Sequence, residues 1–89
     1  MSLYRRNPKR DAVERPIIET LEARGYSVFQ ISGTGIPDLL VSKNGAQWIA
    51  EVKRPKGRHT PAQDKFRLLW TGGPIRVLRS TEDAWRFPL

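Results

Sequence analysis

The sequence predicts a mixed α/β domain: a β-sheet of about four strands flanked by helices. Apolar residues recur at helical spacing over Val13, Ile17, Ile18 and Leu21. Two apolar segments flank an Asn44-Gly45 turn, and a helix-start signature at Thr60 to Gln63 separates them from a last apolar run at 75–78.

Taken in order, residues 1–10 are polar and basic with an Asn7-Pro8 turn signal, and read as a mobile N-terminal arm on a single domain spanning 11–89. The first helix is expected from about 12 to 24, closed by Gly25. Pro16 is tolerated only near a helix start, which places the regular part from Glu14 onward. Tyr26, Val28, Phe29 and Ile31 then read as a strand, broken by Gly33-Thr34-Gly35. Asp38 to Ser42 and Gln47 to Lys53 form a hairpin, because Asn-Gly favours the two-residue turn that joins antiparallel strands. After a basic loop from Arg54, Thr60-Pro61-Ala62-Gln63 offers an N-cap, a proline at the first helical position and a capping-box glutamine. That second helix, with Phe66, Leu69 and Trp70 expected on one face, ends at Gly72-Gly73. Ile75, Val77 and Leu78 make the last strand, and Thr81 to Trp85 a short helical turn. Trp48 and Trp70 are expected in the core or at an interface.

Eighty-nine residues bury a thin core, little more than about 60% of the unfolded surface. No cysteine is present, which excludes disulfides and thiolate-held zinc and fits a reducing cytoplasm. Residues 1–15 carry five basic side chains and no apolar run, as neither a secretory signal nor a membrane span would. Sixteen Lys and Arg against nine Asp and Glu leave a formal charge of +7, the balance of a protein that meets polyphosphate.

The chemistry is concentrated in the hairpin. With a two-residue turn, Lys43 faces Ala46, Ser42 faces Gln47, and the ladder continues until Asp38 faces Glu51. Directly opposed side chains have β-carbons about 4.5–5.5 Å apart, where like charges repel. A divalent cation resolves the conflict, since Mg²⁺ or Mn²⁺ takes one or two carboxylates together with water and substrate phosphate. Lys53 shares the face of Glu51, because the side chain between them points the other way. There it can hold a scissile phosphate or assist a metal-acidified water.

Gly35-Ile36-Pro37-Asp38-Leu39-Leu40-Val41 followed by Ile49-Ala50-Glu51-Val52-Lys53 resembles the bipartite motif of the PD-(D/E)XK nuclease superfamily, in particular its VRR-NUC branch. The resemblance runs from Arg10-Asp11 to the 75–80 strand. It implies a restriction-endonuclease-like fold and a catalytic set of Glu14, Asp38, Glu51, Lys53 and Gln63. Its metal ligands would be Glu14, Asp38, Glu51 and the Val52 carbonyl, for Mg²⁺ or Mn²⁺. Glu14 shares a helix face with Ile17, Ile18 and Leu21, although a helix N-terminus attracts acid in any case. Gln63 equally suits its capping box. Standalone members of this kind, often encoded by phages, are homodimeric, structure-selective nucleases similar to Holliday-junction resolvases. The activity so implied is cleavage of branched DNA in a bacterial or phage-infected cell. Alternatives are a monomeric flap or nicking nuclease within a phage repair or packaging complex, and a non-catalytic nucleic-acid-binding module on the same fold. Arg5, Arg6, Lys9, Arg10, Arg54, Lys56 and Arg58 are the expected phosphate contacts, which add salt-dependent affinity without reading sequence. His59 reads as a loop residue or a further phosphate contact.

Overall fold

In the computed structural model, which describes residues 8–89, the elements follow in the expected order. They are α1 (Pro8–Ala23), β1 (Ser27–Gln30), β2 (Leu39–Lys43), β3 (Ala46–Val52), α2 (Pro61–Leu69), β4 (Ile75–Leu78) and α3 (Thr81–Arg86). One helix boundary differs from the sequence reading. α1 opens at Pro8, not near residue 12, and carries Pro16 in its interior. Proline cannot donate to the carbonyl four residues back, but Ala12 and Pro16 are both exposed, so water can satisfy that carbonyl. The C-terminus of α1 is closed as Gly25 predicts. At φ +90° it lets its own N–H reach the Glu22 carbonyl and that of Tyr26 reach the Leu21 carbonyl, the paired bonds of a Schellman motif.

The sheet order is β1-β2-β3-β4, antiparallel except for the parallel β3–β4 pair. Asn44 and Gly45 both take positive φ, 52° and 85°, which gives the tight turn its twist and fixes the hairpin register. Leu39 pairs with Ala50, Val41 with Trp48 and Lys43 with Ala46, as the two-residue turn requires. Asp38 therefore stands one step before the first ladder pair and Glu51 one step after its partner, on the same face.

Alternation divides the sheet. Val28, Leu39, Val41, Ala50 and Leu78 point to the side covered by α1 and α3, where Ile17, Ile18, Leu21, Ala84 and Phe87 complete the core. Tyr26, Trp48 and Phe87 meet edge to face with centroids 5.3 to 5.7 Å apart, so Trp48 belongs to this core. On the opposite face Phe29, Leu40, Ile49 and Ile75 are cross-strand neighbours in one row over all four strands. Phe29 and Leu40 remain exposed. Among the described residues no helix is long and apolar enough to cross a membrane.

The loop between β1 and β2 is pressed against the start of α2. Gly35 has φ +78°, and a β-carbon there would lie 2.4 Å from the Ala62 carbonyl oxygen. Gly35→Ala combines left-handed backbone strain with that clash, so about 2–4 kcal/mol of stability should be lost. Thermal unfolding checks this. A midpoint lowered by roughly 10 °C or more is expected, whereas one within two or three degrees of the parent would contradict the close approach.

Candidate active site

Three segments converge where the hairpin meets α1 and α2. Asp38 is held first by the backbone: its carbonyl accepts from the Ile31 N–H at 2.8 Å, and Pro37 before it is buried. Its carboxylate Oδ2 accepts from the Val52 N–H at 2.8 Å, so the last residue of β3 aims the acid. Glu14 arrives from α1. It is 4% exposed and lies on the buried stripe with Ile17, Ile18 and Leu21, as its helical position predicts. Gln30 Nε2 donates to its Oε1 at 2.7 Å. Glu14, Asp38, Val52 and Arg54 line one cavity of about 360 Å³, walled on its apolar side by Ile31 and Ile36.

Glu51 is wholly buried. Arg67 of α2 donates from Nη2 to its Oε2 at 3.0 Å, and His59 Nδ1 lies 3.1 Å from the same oxygen. Its other oxygen, Oε1, is buried without a hydrogen-bond partner. A buried carboxylate oxygen left unpaired is costly, and a hard cation would satisfy it. The donors near the cavity are all oxygen, which also fits a hard cation. Among the described residues, however, no three acids or histidines close into a ready-made metal group. The reason is local, since Glu51 is turned onto Arg67 and His59 while Glu14 and Asp38 face the cavity.

Lys53 projects on the face of Glu51. Its ammonium donates to Gln63 Oε1 at 2.5 Å and to the Arg58 carbonyl at 3.2 Å. Gln63 Oε1 also accepts from the Thr60 N–H at 2.9 Å, while the Gln63 N–H reaches the Thr60 hydroxyl at 3.2 Å. The capping box and the lysine contact are thus one arrangement, and the two readings of Gln63 in the sequence are compatible. The cap fixes the rotamer that meets Lys53.

Of the expected phosphate contacts, Arg54, Lys56 and Arg58 are exposed on the loop after β3. Arg79 donates from Nη1 to the carbonyls of Arg54 at 2.8 Å, Pro55 at 3.4 Å and Gly57 at 2.9 Å, which holds that loop in shape. Lys9 and Arg10 stand in the first turn of α1, and Arg5 and Arg6 lie outside the described residues. Arg67, Gln30 and Arg79 escaped the sequence reading. Arg67 lies four residues after Gln63, hence on the same helix face, and that spacing could have found it.

The capping box gives a direct check on this part of the site. Thr60→Ala and Gln63→Ala should each cost about 1 kcal/mol in denaturant unfolding. The double variant should lose less than the sum, because the two bonds support each other. Strict additivity would show that Gln63 is not held by Thr60.

No family model matches the sequence. Among solved structures, the chain is similar to one described as a VRR_NUC domain, with 29% sequence identity and a TM-score of 0.67. The match covers 90% of this chain and 94% of that one.

Proposed function

Given a chain that has the fold of a VRR-NUC nuclease domain, within the PD-(D/E)XK superfamily, we propose that it is a metal-dependent, structure-selective endonuclease of branched DNA. The observation that carries the proposal is Glu51, a fully buried acid with one unpartnered oxygen, set across the hairpin from Asp38 in a chain of charge +7.

Glu14, Asp38 and Glu51, with the Val52 carbonyl, would hold Mg²⁺ or Mn²⁺. Such a cation, when bound, makes a coordinated water acidic enough to attack phosphorus near neutral pH. The chain's own groups supply the rest. Lys53 is held by two neutral acceptors, an amide oxygen and a carbonyl, so its positive charge remains available to a non-bridging phosphate oxygen. Arg54 borders the cavity, and Lys56 and Arg58 extend from the same loop to neighbouring phosphates. Contacts of this sort recognise the course of a backbone rather than base identity, which suits selection by DNA shape.

A homodimer of resolvase kind agrees with the exposed apolar side chains. Leu68 and Leu69 on α2 point to solvent, and Phe29 and Leu40 lie bare on the outer sheet face. Two active sites related by a two-fold axis would make the paired cuts that a four-way junction needs. The cytoplasm of a bacterial or phage-infected cell is the compartment that goes with this reading.

The test is cleavage of four-way, flap, splayed and linear duplex DNA with Mg²⁺ or Mn²⁺, alongside light scattering. Wild-type protein is expected to run as a dimer and to cut the junction fastest. Asp38→Asn and Glu51→Gln should each lose at least about 10³-fold in rate while still binding DNA. Full activity in either variant would overturn the site. A monomer that prefers flaps would overturn the resolvase reading and leave the nuclease.

A further inference from the structure

The proposed chemistry uses Glu51 but gives no task to its partner. Arg67 lies on the inward face of α2, although α2 buries none of its own residues completely. The pair it makes with Glu51 is only half formed. A guanidinium and a carboxylate can share two parallel N–H···O bonds, yet here Nη2 alone donates, to Oε2. Arg67 Nε and Glu51 Oε1 are both buried without a hydrogen-bond partner. The two members also differ in exposure. The Glu51 side chain is 0% exposed, whereas that of Arg67 is 28% exposed.

We propose that Arg67 is the resident counter-cation of Glu51: a positioning residue that neutralises this buried acid when no metal is bound and competes with the divalent cation for it. The inference rests on Glu51 being a cation ligand. A buried carboxylate without a counter-charge is strongly destabilising, so some positive group must accompany it at every stage. The nearest other candidate, His59 Nδ1, is buried 3.1 Å from Oε2 without a hydrogen bond, and an imidazole is a cation only when protonated, whereas a guanidinium always carries its charge. Arg67 is therefore the group that answers the charge of Glu51. With a cation at Oε1 the two positive charges would repel, and Arg67, the partly exposed member of its pair, would be the one displaced. By linkage, whatever Arg67 contributes to the metal-free fold is subtracted from the affinity for the metal. Once released, the guanidinium stands beside the site as a donor to phosphate.

The experiment is Mn²⁺ binding by electron paramagnetic resonance, together with thermal unfolding, on the full chain without DNA. It compares wild type, Arg67→Gln, Arg67→Lys and the double variant Glu51→Gln with Arg67→Gln. Arg67→Gln is expected to bind Mn²⁺ about tenfold more tightly than wild type. It should also unfold at a lower temperature without metal and show a larger rise in Tm with saturating Mn²⁺. Arg67→Lys, which keeps the charge, should stay close to wild type in both. If Arg67→Gln fails to fold without metal, the double variant should fold, because no buried charge is left uncompensated. A double variant that also fails to fold would overturn the proposal by giving Arg67 some other structural task. Equal Mn²⁺ affinity in wild type and Arg67→Gln overturns the competition and leaves Glu51 as a ligand. If neither protein binds Mn²⁺, the metal reading falls and the inference with it.

Discussion

A carboxylate shut away from water must find a positive partner, and around Glu51 this requirement organises the second half of the chain. Strand β3 buries the acid because Ala50 and Val52, on either side of it, turn toward α1 and α3, which leaves position 51 facing α2. Helix α2 must then present Arg67 to Glu51 and Gln63 to Lys53, one turn apart on a single face. The Thr60 cap sets where that helix starts. The approach of Gly35 to Ala62 keeps the Asp38 loop against it. The site is the meeting of a hairpin, one helix face and a glycine loop, each constrained by its neighbours.

Much of this was legible from local signals with a physical cause. Asn44-Gly45 admits a two-residue turn with both φ positive, and that turn fixes the register and hence the opposition of Asp38 and Glu51. Gly25 ends α1 because it tolerates the conformation that a Schellman motif requires. Thr60-Pro61-Ala62-Gln63 carried its helix start openly. Glu14, implied by the family resemblance and supported by the stripe of Ile17, Ile18 and Leu21, lies buried on that same face.

The outward sides of α2 were not legible, because the pattern there runs against ordinary amphipathicity. Leu69, expected with Phe66 and Trp70 on the packed face, is 67% exposed, and Leu68 is 85% exposed. Gln63 and Arg67, polar residues, point inward. Local pattern fails at functional or strained positions, and in the proposed function both sides of α2 are such positions: the inner one beside the candidate site, the outer one exposed. The Arg79 clamp was hidden for another reason: a side chain that bonds only main-chain carbonyls of a distant loop leaves no motif. The early start of α1 was masked by Pro16, whose missing donor matters little on an exposed face.

In the proposed function the orphaned oxygen of Glu51 belongs to a cation site shared with Asp38 and Glu14. The most direct measurement is a crystal of the protein grown with Mn²⁺ and recorded at the manganese absorption edge. The expected result is an anomalous peak in the cavity between Glu14 and Asp38, within bonding reach of Glu51 Oε1, with the Arg67 guanidinium withdrawn. A cavity without a peak, with Glu51 still held by Arg67 at saturating Mn²⁺, would contradict it.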